Sequence, residues 1–198
     1  MTGILPAIDP GHTALLLMDY QTGILGSLEN AEALLTRAVD AISLIRGAGG
    51  QVGYVRIAFE DADYDGVPAA SRMAATLARV GRTFDADLPA TAIHERVAPE
   101  AGDIVVRKTR VGAFSTTDLH EQLRRRDITT LILAGVSTSG VLLSTVPDAV
   151  DRDYRVFVLA DASADRQPDV HAFLTERIFP RQAYVITTAQ LAGLITGG

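Results

Sequence analysis

The sequence predicts a single-domain α/β protein with an open, doubly wound sheet of the Rossmann-like type. We expect six mainly parallel strands with helices on both faces. Short apolar runs alternate along the chain with segments whose apolar residues recur at helical spacing. Several of the runs are apolar without interruption, as is typical of strands buried on both faces of a parallel sheet. The length of 198 residues, 47% of them hydrophobic, suits one domain with a sizeable core.

The first half of the chain reads as strand, helix and strand. Residues 13–18 form an uninterrupted apolar run that ends at Asp19. From about Asn30 the apolar residues recur at helical spacing, until a glycine-rich stretch at 47–50 stops the helix. Residues 51–59 then predict a second strand. Two parallel strands joined through a helix by a right-handed crossover are the beginning of a parallel α/β sheet.

Residues 60–100 are the least regular part of the chain. They contain alternating aspartates, two prolines and one short helical pattern at 68–80. The aspartates lack the glycine and glutamate spacing of a calcium loop. An insertion of this kind is more often a lid or an oligomer contact than a second domain. We therefore predict one domain over 1–198, with an irregular lid around 60–100.

The second half of the chain alternates strand and helix four times. The strands are predicted at 103–107, 129–134, 154–159 and 183–186, and the helices at 117–126, 139–152, 168–179 and 188–195. His120 and His171 fall in helical stretches and are read as surface residues.

Composition limits the partners and the location. The formal net charge of −6 argues against nucleic acid or an anionic membrane as a partner. No apolar run approaches the ~20 residues of a transmembrane helix, and the first ten residues lack the features of a signal peptide. The absence of cysteine excludes disulfides and thiolate metal ligands. We expect a cytoplasmic protein that takes a small-molecule substrate and uses no metal and no cofactor.

Polar residues follow three of the predicted strands. Asp19 follows the first, Lys108 follows the strand at 103–107, and the turn at 135–141 follows the strand at 129–134. In open parallel sheets the ligand crevice lies beyond the carboxyl ends of the strands. The sequence therefore predicts that these three features meet at one site.

Asp19 and Lys108 each have a functional and an ordinary interpretation. Burial would favour the neutral form of Asp19 and a nearby lysine its charged form, and a carboxyl between those influences is a useful acid or base at neutral pH. The ordinary interpretations are a capping carboxylate and a lysine that extends to water.

The turn at 135–141 leads from an apolar strand into an apolar helix. Its hydroxyl residues, among them Ser137 and Ser139, suit a tight turn and a helix N-cap. A sharp strand-to-helix turn presents backbone N–H groups and the positive end of the helix dipole. Such a turn suits a developing oxyanion.

Three stretches together resemble a known family. They are TALLLMDYQ at 13–21, RKTRVGAFSTTDL at 107–119 and GVSTSGVLLST at 135–145. In order and spacing they resemble the motifs of the isochorismatase-like hydrolases, also called the cysteine hydrolase superfamily. The resemblance implies that Asp19 is the catalytic acid or base, that Lys108 supports it, and that the backbone N–H groups of Ser137 and Val141 form an oxyanion hole.

The resemblance also identifies what this chain lacks. The nucleophilic cysteine of most members falls at Val141, which has no nucleophilic atom. Many members have a cis peptide before the position of Ser137. The resemblance further implies that Gln21, Phe114 and Ser139 lie at the substrate pocket and that the protein is a homodimer or homotetramer.

A hydrolase without a covalent step is the expected function. The isochorismatases of the family lack the cysteine and cleave a vinyl ether, with the aspartate protonating the enol-ether carbon and water attacking the resulting cation. Such chemistry requires Asp19 but no thiol. This chain differs from that subgroup in having Val141 where those enzymes tend to have glycine.

Two other interpretations stay open. The first is a catalytically inactive relative that binds a small ligand or a partner through the inherited pocket. The second is an amidase-like hydrolase with a replacement nucleophile, namely Ser137, Ser139 or Ser144. A serine nucleophile requires a base within about 2.6–3.2 Å, and helix capping is the simpler role for these hydroxyls.

Overall fold

The six predicted strands are all present in the computed structural model, which describes residues 5–195. They are β1 Thr13–Met18, β2 Gln51–Ile57, β3 Ile104–Lys108, β4 Thr130–Gly135, β5 Arg155–Leu159 and β6 Tyr184–Ile186. They form one sheet in the order β3-β2-β1-β4-β5-β6, and every neighbouring pair is parallel. The predicted α/β class is confirmed, with an all-parallel sheet. The ends of the predicted 1–198 domain, residues 1–4 and 196–198, lie outside the described residues.

Helices connect the strands, and two short ones, at 22–25 and 61–65, were not predicted from the sequence. They are α1 Thr22–Leu25, α2 Ala31–Gly47, α3 Asp61–Asp65, α4 Arg72–Val80, α5 Leu119–Arg124, α6 Leu143–Val150, α7 Pro168–Phe173 and α8 Thr188–Leu194. A π-helical turn, Thr138–Leu142, precedes α6, and a second one, Leu174–Ile178, follows α7. None of the helices in the described range is long and apolar enough to cross a membrane.

The two central strands are buried on both faces. In β1, Leu15 and Leu17 pack on one side of the sheet with α2 and α8, whereas Leu16 and Met18 pack on the other side with α5 and α6. Successive side chains of a strand point to opposite faces, so a strand between two helical layers must be apolar at every position. This explains the uninterrupted apolar run of 13–18.

The order in which the strands are added to the sheet changes direction between β1 and β4. From β1 the chain passes to β2 and β3 on one side, and it then returns to β4, β5 and β6 on the other. Met18, the last residue of β1, pairs with Gly135, the last residue of β4. The carboxyl ends of β1 and β4 therefore flank the topological switch point, where ligands bind in folds of this kind.

The insertion after β2 packs against the edge of the sheet. Arg107 of β3 forms an ion pair with Asp63 of α3, and Phe59 N–H donates to Phe84 O at 2.8 Å. The insertion also has a small apolar cluster of its own, made of Ile57, Phe59, Leu77 and the partly buried Ile24, Tyr64, Val67, Met73 and Phe84. The predicted helix at 68–80 begins at Arg72, where the Ser71 side chain caps it. The lid role of this segment stays a prediction.

Candidate active site

Asp19 lies directly beyond the carboxyl end of β1. Its N–H donates to Val55 O at 2.7 Å, which continues the pairing of β1 with β2 for one residue. The backbone then turns sharply, because Asp19 has a φ of 61°. Such a conformation is rare for residues other than glycine, although aspartate tolerates it better than most. The residue is 5% exposed, so the turn holds a carboxyl group inside the protein.

Lys108 is the last residue of β3 and reaches Asp19 past the end of β2. Its Nζ lies 2.8 Å from Asp19 Oδ2 and also donates to Val111 O at 2.8 Å. The lysine is 1% exposed. The sequence expected these two residues at one edge of the sheet, and the structure brings them into direct contact.

The second oxygen of Asp19 has a different environment. Oδ1 is buried and has no hydrogen-bond partner among the described residues. Burial raises the pKa of the Asp19 carboxyl, and the neighbouring Lys108 opposes that rise. Burial with one unsatisfied oxygen favours the protonated carboxyl group. The ammonium group of Lys108 beside it stabilises the carboxylate that remains when the proton is lost.

The turn after β4 closes tightly against the end of β1. A Cβ atom at Gly135 would lie 3.0 Å from Val141 Cγ1 and 3.4 Å from Met18 Cβ, so glycine permits the close approach. The Val136–Ser137 peptide bond is cis. Val141 is 2% exposed and packs in the apolar cluster that also contains Met18. The position of the missing cysteine therefore lies beside the strand that leads to Asp19.

The loop after β5 holds this turn from the other side. Thr138 N–H donates to Ala164 O at 2.9 Å, and Ser139 N–H donates to Asp165 Oδ2 at 2.7 Å. The Thr138 hydroxyl lies 2.8 Å from Nδ1 of His171, which belongs to α7. The interpretation of His120 and His171 as surface residues is therefore wrong: both are partly buried, His171 against the turn and His120 against Tyr154.

Asp165 and His171 have lowered pKa values for different reasons. Partial burial raises the pKa of Asp165, but the hydrogen bonds from Ser139 and Gln167 outweigh it and hold the value below the usual range. Burial lowers the pKa of His171, and the charge of Asp165 opposes that shift. Sequence reasoning did not select either residue. The signal was available, since Asp165 lies in the loop that follows a fourth strand, β5, at the same edge.

Two adjoining cavities open beside the turn. One, of about 460 Å³, is lined by Ser137, Ser139 and Arg166 together with the apolar Ile24 and Leu28. The other, of about 580 Å³, shares Arg166 and Leu28 and extends to His171. Neither is lined by Asp19 or Lys108.

Two residues expected at the substrate pocket have other surroundings. The Gln21 amide donates to Ile57 O at 2.9 Å and to Thr91 O at 2.8 Å, and it accepts from Ile57 N at 2.8 Å. Phe114 is stacked on Tyr154, with ring centroids 6.2 Å apart. Neither residue lines the two cavities. Of the expected pocket residues, Ser139 does.

No metal-binding group is found in the described part of the chain. Among residues 5–195, no cluster of three or more histidine, aspartate or glutamate side chains could hold a metal ion.

Comparisons with known proteins agree with this architecture. Residues 13–190 match the model of the isochorismatase domain family. An uncharacterized isochorismatase family protein of Bacillus subtilis is 30% identical over 185 residues, covering 92% of this chain and 94% of the relative. A probable inactive nicotinamidase of Arabidopsis thaliana is 30% identical over 166 residues, covering 81% of this chain and 84% of the relative.

A solved structure is similar over nearly the whole chain. The cysteine hydrolase of Pseudomonas syringae pv. phaseolicola superimposes with a TM-score of 0.85 at 26% identity, covering 98% of this chain and 97% of that one. Whereas that protein is described as a cysteine hydrolase, this chain has no cysteine. Because the family model matches residues 13–190 of a 198-residue chain, the protein belongs to the isochorismatase family of hydrolases.

Proposed function

We propose that this protein hydrolyses a small molecule with Asp19 as general acid and base and with water as the attacking group. The observation that carries the proposal is the asymmetry of the Asp19 carboxyl. Oδ2 contacts Lys108 Nζ at 2.8 Å, whereas Oδ1 is buried without a partner among the described residues. Such a carboxyl can give a proton to a substrate and later take one back.

The chemistry divides into two proton transfers. Protonated Asp19 gives its proton to the substrate, at the enol carbon of a vinyl ether or at the leaving group of another bond that water can cleave. Lys108 stabilises the carboxylate that results. Water then adds to the electron-poor carbon and returns a proton to Asp19. The adduct, a hemiketal in the vinyl-ether case, breaks its bond to the leaving oxygen, which departs as an alcohol with the adduct's hydroxyl proton and leaves a carbonyl product. No bond forms between protein and substrate, which suits a chain with valine at position 141.

The turn after β4 supplies the other half of the site. The backbone N–H groups of Ser137 and Val141 belong to a strand-to-helix turn, where unsatisfied donors and the helix dipole favour negative charge. For a substrate with a carbonyl group they bind the oxygen on which negative charge develops when water adds. The mixed lining of the 460 Å³ cavity, apolar at Leu28 and polar at Ser139, fits a small polar molecule.

A catalytically inactive relative is the second candidate. It is favoured by the observation that Asp19 and Lys108 line neither cavity. The similarity to a probable inactive nicotinamidase supports it as well. In that case the cavities bind a ligand or partner, and the ion pair is a structural remnant.

A serine hydrolase is less well supported. Ser137 and Ser139 line the smaller cavity, where a replacement nucleophile could act. A base is required beside it. Asp165 is already occupied, because its two oxygens accept N–H groups from Ser139 and Gln167. Assembly into a dimer or tetramer and a cytoplasmic location both stay predictions.

The proposal is tested by hydrolysis of a panel of small vinyl ethers, amides and esters. We expect turnover by the natural chain and loss of at least about 100-fold in Asp19→Asn, since asparagine keeps the shape but cannot exchange a proton. The control is Asp151→Asn, an exposed carboxyl without side-chain bonds in the described structure, which should keep full activity.

Each outcome separates the candidates. Near-normal turnover by Asp19→Asn would remove Asp19 from the mechanism. Binding of panel members without turnover by the natural chain would favour the inactive relative. Trapping of an acyl group on Ser137 or Ser139 would favour the serine hydrolase.

A further inference from the structure

The turn that carries the proposed oxyanion site has no cap of its own. Ser137 occupies the N-cap position before Thr138–Leu142, yet its side chain makes no capping hydrogen bond. The first N–H groups of any helix lack partners within the helix, and a side chain at the N-cap usually binds one of them. Here an N–H group of the first turn, that of Ser139, is bound by a residue from another crossover.

That residue is Asp165, in the loop between β5 and α7. Oδ2 accepts from Ser139 N–H at 2.7 Å, and Oδ1 accepts from Gln167 N–H at 3.2 Å. The carboxylate therefore joins the turn to its own loop. Two backbone bonds run alongside it, from Thr138 N–H to Ala164 O at 2.9 Å and from Ala164 N–H to Gly135 O at 3.3 Å.

We propose that Asp165 is a positioning residue, which holds the turn at 137–141 so that its backbone N–H groups stay directed at the reacting oxygen. The inference rests on the proposed role of that turn in binding charge. Asp165 touches no reacting atom in this scheme. Its hydrogen bond to Ser139 N–H directs the turn from the side opposite Asp19, through a contact between residues 26 positions apart.

A hydrogen-bonding role and a charge role predict opposite results. If Asp165 acts through its hydrogen bond, asparagine can replace it because the amide oxygen also accepts from Ser139 N–H, whereas alanine cannot. If it acts only through its negative charge, asparagine and alanine have the same effect. Loss of a nearby negative charge lowers the pKa of a thiol at position 141, whereas loss of the turn's order raises it.

The test uses Val141→Cys as a reporter, since the chain has no other cysteine. The rate of alkylation by iodoacetamide against pH is measured in Val141→Cys alone and combined with Asp165→Asn, with Asp165→Ala or with Asp169→Ala. Asp169, exposed in the first turn of α7, is the matched control because it is also an aspartate and its side chain makes no hydrogen bond or ion pair in the described structure.

We expect Asp165→Ala to raise the thiol pKa and to slow alkylation at pH 7 by about tenfold, the order of magnitude of a lost helix cap. Asp165→Asn and Asp169→Ala should stay close to the reporter alone. Equal lowering of the thiol pKa by Asp165→Asn and Asp165→Ala, or no change in either, would overturn the inference while leaving the proposed function intact. An inert thiol in Val141→Cys alone would overturn both, because position 141 would not face the site.

A second measurement does not depend on the reporter. Amide hydrogen exchange of Ser139 in the natural Val141 background should accelerate about tenfold in Asp165→Ala and little in Asp165→Asn. If Asp165→Ala does not fold, Asp165→Leu, which also lacks an acceptor, replaces it. Unchanged protection of the Ser139 amide in the variant without an acceptor would contradict the inference.

Discussion

Two aspartates on opposite sides of the turn after β4 have contrasting environments. Asp19 is buried, contacts Lys108 through one oxygen and leaves the other unpaired, and its burial raises the pKa. Asp165 is partly exposed, and both of its oxygens accept backbone N–H groups. Hydrogen bonds from the Ser139 side chain and from the backbone of Ser139 and Gln167 hold its pKa low. A carboxyl group with one unpaired oxygen suits proton exchange, whereas one whose two oxygens are both hydrogen-bonded suits holding a backbone segment in place.

A position after a β-strand at this edge therefore does not by itself determine the role of a carboxyl group. Both residues follow β-strands at the same edge of one parallel sheet. The two carboxyl groups differ in their hydrogen-bond donors. Asp19 is contacted by the ammonium group of Lys108, whereas Asp165 accepts backbone N–H groups, one of them from the turn that begins the helix after β4. Three experiments test this contrast and the surroundings of the site.

The largest effect is expected from Lys108→Met. Removal of one partner of a buried ion pair leaves the other charge uncompensated, at a cost of about 3–5 kcal/mol. The free energy of unfolding at pH 8, measured by urea denaturation, should fall by that order. Arg79→Met, which removes an exposed arginine without an ion-pair partner in the described structure, should change it by less than about 0.5 kcal/mol. A small effect of Lys108→Met would mean that Asp19 is not held as a buried carboxylate.

Gln21→Leu is expected to have the next largest effect. The amide of Gln21 binds Ile57 N–H, Ile57 O and Thr91 O, and leucine leaves all three backbone groups without that partner. We expect a loss of about 2–3 kcal/mol in the free energy of unfolding. Gln190→Leu, which removes only an exposed capping amide on α8, is the control. Reduced ligand binding by Gln21→Leu at full stability would instead favour the sequence-based role at the substrate pocket.

The smallest effect is a difference in the sign of the pH dependence. Because the folded-state pKa of Asp19 is raised, its contribution to stability is present below its usual pKa of about 3.9 and is lost as pH rises through the folded value. Because that of Asp165 is lowered, its contribution is present above about 3.9 and is lost as pH falls through the folded value.

Urea denaturation between pH 3 and pH 8 measures both signs. The stability advantage of the natural chain over Asp19→Asn should decrease as pH rises, whereas its advantage over Asp165→Asn should decrease as pH falls. Slopes of equal sign would contradict the assigned environments.

Local patterns in the sequence predicted most of the fold. The uninterrupted apolar run at 13–18 predicted a central strand, and apolar residues at helical spacing located α2 and α8 within a few residues. The order of strands and helices also placed Asp19 and Lys108 at one edge, because the carboxyl ends of parallel strands must meet there. The missing nucleophile is likewise a property of the sequence, since no fold can supply a thiol that the chain lacks.

The tertiary structure alone decided the partners of individual side chains. Gln21 bonds to a backbone carbonyl 70 positions away, and Asp165 to a backbone N–H 26 positions away, so no local pattern could reveal either contact. Strand and helix periodicity depends on neighbours in the chain, whereas hydrogen-bond partners depend on where the crossovers bring distant segments together. For that reason the sequence by itself determined the sheet and the Asp19–Lys108 edge, and only the fold showed that this ion pair lines neither of the two cavities beside the turn.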